Sequence, residues 1–185
     1  METKPSATGQ PNGDESACTI TPVNTPADLH DIVALFHEYV ASLKIDLSFQ
    51  DFATEVSSLP GKYSPPTGCL LLARSRTTGQ AIGCVALRPL EPKVCEMKRL
   101  YVSPLGRGAG LGKALALRAL EQARQLGYER ARLDTLANMG SARALYGKLG
   151  FVEVEPYYNS PMKDTKFLEL TLGLRDKDET GASMM

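Results

Sequence analysis

The sequence predicts one mixed α/β domain, and three observations carry that reading. Apolar runs of strand length alternate along the chain with segments whose apolar residues recur at helical spacing. The second half reads strand, glycine-rich turn, helix, strand, helix, which is the grammar of a layered α/β structure. The 185 residues are 43% hydrophobic and 23% charged, enough for one ordinary core and close to the globular average.

Residues 1–17 are rich in Pro, Gly, Ser and charge, with too little apolar surface to offset the entropy of ordering, so a disordered tail is expected there. The domain proper spans 18–174, and the polar stretch 175–185 reads as a frayed end. Cys18 to Val23 is a short first strand. Thr25, Pro26 and Asp28 start a helix on which Leu29, Ile32, Val33, Phe36, Val40 and Leu43 form one stripe. A weaker helix runs from about Phe49 to Leu59 and stops at Pro60-Gly61. The apolar runs Gly68 to Ala73 and Ala81 to Leu87, separated by Thr77-Thr78-Gly79-Gln80, read as a hairpin. Val94 to Val102 is a further strand ending at Ser103-Pro104. Beyond a glycine-rich turn, Leu111, Leu115, Ala119, Ala123 and Leu126 stripe a helix over about 110–126. Arg130 to Leu136 is the next strand, and Ser141 to Leu149 a helix closed by Gly150. Phe151 to Val154 and Phe167 to Leu172 finish as strands around a turn that holds Pro156 and Pro161.

Several function classes are disfavoured. Lys plus Arg and Asp plus Glu number 21 each, so the basic excess that displaces phosphate counterions is missing and no nucleic-acid partner is expected. The four cysteines form no C-x-x-C pair and the two histidines, His30 and His37, form no cluster with them, which argues against a zinc site or any other metal. Cys69, Cys84 and Cys95 fall in strands and read as small buried hydrophobes. The first residues lack the apolar core of a signal peptide, and no run approaches the roughly 20 apolar residues of a membrane span. A cytoplasmic protein without membrane contact follows as the expectation.

The chemistry concentrates in Arg107-Gly108-Ala109-Gly110-Leu111-Gly112-Lys113, between a strand and a helix start. Unpaired backbone N–H groups and the positive helix end make an anion site there, although a tight turn built of small residues for packing would read the same. Two phosphate motifs fail on spacing. A P-loop ending at Gly112-Lys113 would need its first glycine at Arg107 and a hydroxyl at Ala114. A dinucleotide fingerprint begun at Gly106 or Gly108 puts Leu111 or Lys113 where its last glycine belongs. Arg107, Gly110 and Gly112 do match R-x-x-G-x-G/A, and about 35 residues later Ala142-x-x-Leu145-Tyr146-x-x-Leu149-Gly150-Phe151 matches A-x-x-L-Y-x-x-x-G-F. In this order and spacing the two motifs resemble the GNAT (Gcn5-related N-acetyltransferase) superfamily, and the element order from Leu70 to Leu172 resembles it too. One departure is Met139, three residues before Ala142, where family members often carry asparagine; Asn138 stands next to it.

The resemblance implies a central twisted mixed sheet flanked by helices, and an enzyme that moves an acetyl group from acetyl-CoA directly to an amine. It places the pyrophosphate on Arg107, Gly108, Ala109, Gly110, Leu111, Gly112 and Lys113. The pantetheine arm then lies along Leu100, Tyr101 and Val102 like an added strand, with Asn138 beside it, and a main-chain N–H polarises the thioester carbonyl. Tyr146 is the candidate acid for the departing thiolate, a phenol of ordinary pKa about 10 against about 8.5 for a thiol; its bland alternative is a packing aromatic. Amines are largely charged at pH 7, so a base is needed. Glu96 shares the strand of the carbonyl donor, and a glutamate at a comparable place serves as base in the histone-acetylating branch; otherwise it is a solvated edge residue paired with Lys98 or Arg99. For the acceptor, Arg99, with Lys98 and Arg88, either grips a carboxylate or forms a solvated face of the strand, and Tyr157, Tyr158 and Asn159 sit in the turn that often closes over the acceptor in relatives. The same tyrosines would equally cover a sheet edge. A small-molecule amine, amino acid or polyamine-like, is the expected partner, of a monomer or homodimer. A protein or peptide acceptor and a non-catalytic acyl-CoA-binding module are the alternatives.

Overall fold

A computed structural model describes residues 17–43 and 51–173. The tail expected over 1–17, Ala17 apart, and the expected C-terminal fray lie outside those residues, as do positions 49 and 50 of the second expected helix. The elements follow in order as β1 (Cys18–Pro22), α1 (Pro26–Leu43), α2 (Phe52–Ser57), β2 (Cys69–Ser75), β3 (Ala81–Glu91), β4 (Val94–Val102), α3 (Leu111–Gln125), β5 (Arg130–Leu136), α4 (Gly140–Lys148), β6 (Val152–Glu153) and β7 (Thr165–Thr171). One seven-stranded sheet has the order β1-β2-β3-β4-β5-β7-β6. Its neighbours are antiparallel except β4 and β5, which run parallel.

Side-chain alternation along the strands fills two cores. Leu71, Ala73, Val85, Leu87, Cys95 and Met97 face α3, whose Leu115, Ala116, Ala119, Leu120 and Ala123 are buried, and Tyr146 of α4 joins this core. Leu70, Leu72, Cys84 and Ala86 face the other way, against Ile32, Leu35 and Phe36 of α1, with Phe52 and Val56 of α2 packed at its margin. Close approach of α3 depends on Gly83, where a Cβ would fall 2.9 Å from the Tyr101 carbonyl oxygen and 3.0 Å from Leu115. Gly106 likewise lets the turn before α3 sit on the Ile82 carbonyl.

The start of α1 follows the expectation. Asp28 accepts from the Thr25 amide and hydroxyl at 3.1 and 2.8 Å, and its own amide donates to the Thr25 hydroxyl at 3.1 Å, a reciprocal cap. Arg74 of β2 then ties Asp28 and Asp31 to the sheet at 2.8 and 2.7 Å. Two expectations need trimming. The second helix covers only Phe52–Ser57, opening at Asp51 in a left-handed conformation, because the chain turns into a 3-10 segment at Gly61–Tyr63. Of the strand expected over Phe151 to Val154, two residues pair, and with β7 alone.

Candidate active site

The site begins with a sheet defect. On β3, Ala86 and Cys84 are two steps apart, whereas their partners on β4, Lys98 and Tyr101, are three apart. The extra residue is a bulge, and Arg99 within it has φ 57°, a left-handed conformation that costs a non-glycine residue about 1–2 kcal/mol. The bulge inverts the alternation: Cys95 and Met97 point to the α3 core, but after it Leu100 and Val102 do, and Tyr101 turns to the α1 core. Just before the bulge, β4 also parts from its parallel neighbour. β4 and β5 pair only at Val94↔Arg130, Cys95↔Ala131 and Glu96↔Arg132, then part. Beyond Glu96 that edge of β4 has no strand partner.

A cleft of about 880 Å³ occupies the splay. Leu100, Tyr101, Val102, Arg107, Gly108, Gly110, Leu111, Gly112, Lys113 and Asn138 all line it, together with Tyr39, Met139 and Leu145. Ala109, expected with them, is exposed on the turn and outside the lining. Gly108 and Gly110 have φ of 88° and 73°, which only glycine adopts at no steric cost. Gly110 caps α3 without a side-chain bond, and the first helical bond runs from Ala114 to Gly110. The amides of Leu111, Gly112 and Lys113 therefore open into the cleft without helical partners, in the field of a positive helix end. Free amides at a positive helix end form the kind of array that attracts an anion.

At its inner end the cleft meets a chamber of about 50 Å³. Tyr39, Leu43, Leu100, Leu136 and Met139 line both and form the neck between them. Met97, Lys98, Arg99, Asp134, Thr135, Tyr146, Tyr158 and Thr165 complete the chamber. Tyr146 is 7% exposed and packs edge-on against Phe151 at 5.6 Å between ring centroids. Burial raises its phenol pKa, and the nearby Tyr39 and Asp134 raise it further, so the hydroxyl keeps its proton. Ordinary values already make full transfer from a phenol to a free thiolate uphill by about 1.5 units, and burial widens that gap. This environment therefore favours a phenol that donates a hydrogen bond over one that gives up its proton.

Glu96 is 0% exposed and is not a solvated edge residue. Arg88 Nε donates to its Oε2 at 2.6 Å, the Tyr157 hydroxyl donates to its Oε1 at 3.0 Å, and Lys98 Nζ lies 3.8 Å away. It sits behind the chamber, and the carboxylate in the chamber wall is Asp134, 3.4 Å from Lys98 Nζ. Arg99, expected to hold an acceptor's carboxylate, already holds one of the chain's own: Nε and Nη2 bond the two oxygens of Glu55 on α2. Tyr157 packs on Phe167 and Tyr158 and faces Glu96, and Asn159 is exposed; neither lines the chamber. The next tyrosine does. Tyr158 has a buried hydroxyl without a hydrogen bond of good geometry, near enough to Asp134 that burial first, and that carboxylate second, push its phenol up.

Sequence reasoning therefore missed Asp134 and Glu55, and did not separate Tyr158 from Tyr157. A legible signal existed for Asp134, a lone acid on the face of β5 opposite Ala131 and Leu133. None existed for Glu55, whose partner is 44 residues away. Among the described residues no group of His, Cys, Asp and Glu is arranged to hold a metal, and no helix is long and apolar enough to cross a membrane.

Comparison with known proteins places this geometry. The Acetyltransferase (GNAT) family matches residues 30–151. An uncharacterized N-acetyltransferase of Schizosaccharomyces pombe is 40% identical over 158 residues, covering 85% of this chain and 96% of its own. A GNAT-family acetyltransferase of Staphylococcus aureus shares the fold with a TM-score of 0.71 at 19% identity, over 85% of this chain and 100% of its own. A Salmonella typhimurium protein described as an acetyltransferase, solved with its cofactor acetyl-CoA, gives a TM-score of 0.60 at 20% identity, over 89% and 99%. The splayed sheet, the open amides at the head of α3 and these matches together make the chain a member of the acetyltransferase (GNAT) family, an acetyl-CoA-dependent N-acyltransferase.

Proposed function

We propose that the chain acetylates the primary amine of a small molecule, amino acid or polyamine-like, by direct transfer without a covalent enzyme intermediate. The observation that carries this reading is the small chamber at the inner end of the large cleft, with room for little more than a reacting amine and its nearest atoms. The cleft suits acetyl-CoA: unpartnered amides at 111–113 for the diphosphate, and the free edge of β4 at Leu100, Tyr101 and Val102 for the arm. Bound there, acetyl-CoA supplies an activated acyl group as a thioester. Main-chain N–H groups past the Arg99 bulge, with no β5 strand to bond, polarise its carbonyl.

Asp134, the carboxylate in the chamber wall, takes the amine's proton, and Glu96 behind it holds Lys98 and Tyr157 in place. The new C–N bond displaces the sulfur, Tyr146 donates a hydrogen bond to it as it leaves, and the second proton shed by the acylated nitrogen goes to that sulfur, so the leaving group departs as the thiol. Tyr158, rather than Tyr157 or Asn159, brings the β6–β7 loop to the acceptor, and Arg99 shapes the wall. The test is thiol release from acetyl-CoA against amino acids, polyamines, alkylamines and peptides, run with calorimetric binding of acetyl-CoA. Turnover with a small amine is expected, and Tyr146→Phe should lower kcat by about 100-fold with acetyl-CoA affinity unchanged. Tight binding with no turnover on any amine would reject the enzyme reading, and turnover on peptides alone would reject the small acceptor.

A further inference from the structure

We infer that Glu55 of α2 is a positioning residue for acyl transfer, because its grip on Arg99 holds the β4 bulge on which the cleft and the chamber both depend. The inference rests on the acetyltransferase reading above.

Arg99 occupies a backbone conformation that its side chain does not favour, in the middle of a sheet. Something outside the strand must hold it there. The Arg99 side chain is 3% exposed. Its Nε and Nη2 fork onto Glu55, and its Cζ lies 5.3 Å from the ring centroid of Phe52 and 5.9 Å from that of Tyr39. Glu55 is held in turn, since the Tyr63 hydroxyl donates to Oε1. Burial disfavours its charge, yet Arg99 and Tyr63 together bring its carboxyl below the usual range, so the fork stays charged at neutral pH. α2 thus reaches across to one residue of β4, and that residue is the one in the bulge.

The consequence falls on the site. Because of the bulge, Leu100 reaches the neck of the chamber and Tyr101 turns to α1, where its hydroxyl meets Glu38. Relaxing Arg99 to ordinary extended backbone would drive the next residues toward opposite faces and β4 back toward β5, closing the gap. A glutamine at 55 keeps the size but removes the charge that pairs a buried guanidinium. The strand, and not merely α2, should then loosen.

The experiment uses the full chain and reads hydrogen exchange at Leu100–Val102, which needs no acceptor, together with kcat and the KM for acetyl-CoA with whichever amine the screen above ranks first. Glu55→Gln should speed exchange at those amides at least tenfold and lower kcat at least tenfold, with KM changed less than threefold. Asp31→Asn, which removes a more exposed ion pair to Arg74 outside the cleft lining, should leave both as in the wild type. The decisive variant is Arg99→Gly combined with Glu55→Gln: glycine takes φ 57° unaided, so slow exchange and most of the lost kcat should return. If Glu55→Gln exchanges at the wild-type rate, or the double variant recovers nothing, Glu55 only anchors α2 and the inference falls. Should Glu55→Gln not fold, the double variant against Arg99→Gly alone carries the test, and a further loss of kcat there overturns the inference. Wild type that turns over no amine sinks the proposed function, and the exchange arm still decides the role of Glu55.

Discussion

Gly110 and Gly112 lie two residues apart in one turn, yet a methyl group would meet a different obstacle at each. At Gly110 it finds nothing within 4 Å, so the cost is the left-handed backbone, about 1 kcal/mol. At Gly112 the backbone needs no such freedom, and the methyl meets Val102 and Leu145 at an ordinary 3.8 and 4.0 Å on the cleft wall. Gly110→Ala should therefore lower Tm by about 2–4 °C. Gly112→Ala should leave Tm alone and weaken acetyl-CoA binding about tenfold, a loss of about 1.4 kcal/mol, as calorimetry will show. The carboxylates divide in the same way. Glu96→Gln strips a fully buried residue of its charge and should cost about 3 kcal/mol of stability, whereas Asp134→Asn should leave Tm nearly unchanged and lower kcat by about 100-fold. The glycine turn was legible because spacing and backbone chemistry coincide there. Tyr157 and Tyr158 were not told apart, because the chain between β6 and β7 has no period from which to read a face.

At the level of elements, strands and helices that pack against the sheet were legible almost to the residue, since Val94–Val102 and Arg130–Leu136 each carry an alternation imposed by the two cores. The Arg99 bulge within Val94–Val102 was invisible, because its cause, Glu55, lies on an element too short to show a stripe. α1 shows what local signals do give. Its cap places Asp28 between Thr25 and Arg74, and the Arg74 guanidinium first, then the Thr25 hydroxyl, hold its carboxyl down to about 2 from an ordinary 3.8. A pKa lowered in the folded state contributes stability that is fully present above about pH 4 and lost as pH falls toward 2. The pair is part-buried and still reached by solvent, so screening keeps the increment small. Asp28→Asn should lower Tm at pH 7 by a few degrees at most. The gap between mutant and wild type should close as both are melted from pH 4 down to pH 2; a constant gap over that window would mean that Asp28 caps by shape rather than by charge.

Over the whole molecule, the sheet is two sheets joined by a short seam. β1 to β4 form one antiparallel run and β5 to β7 another, and the parallel seam between β4 and β5 is three residue pairs long. A ligand along the free edge of β4 would also meet Leu136, Asn138 and Met139 on the far side of the splay, and so would bridge halves whose strands pair at only three positions. Ligand bound at about 100 times its Kd stabilises the native state by about 2.7 kcal/mol. The location of that gain is the informative part. Local opening at the seam is the cheapest opening available to a sheet with this defect, and bridging should suppress it before it affects global unfolding. With acetyl-CoA added, hydrogen exchange should slow most at residues 97–102 of β4, 133–136 of β5 and the amides of 111–113, by about 100-fold. Amides in β2 and in the first half of α1, away from the cleft-lining Tyr39 and Leu43, should change only with global stability. Equal slowing everywhere would mean that the two halves open together. Slowing confined to 111–113 would mean that the diphosphate binds while the arm does not follow β4, and the placement of the thioester at the neck would have to be given up.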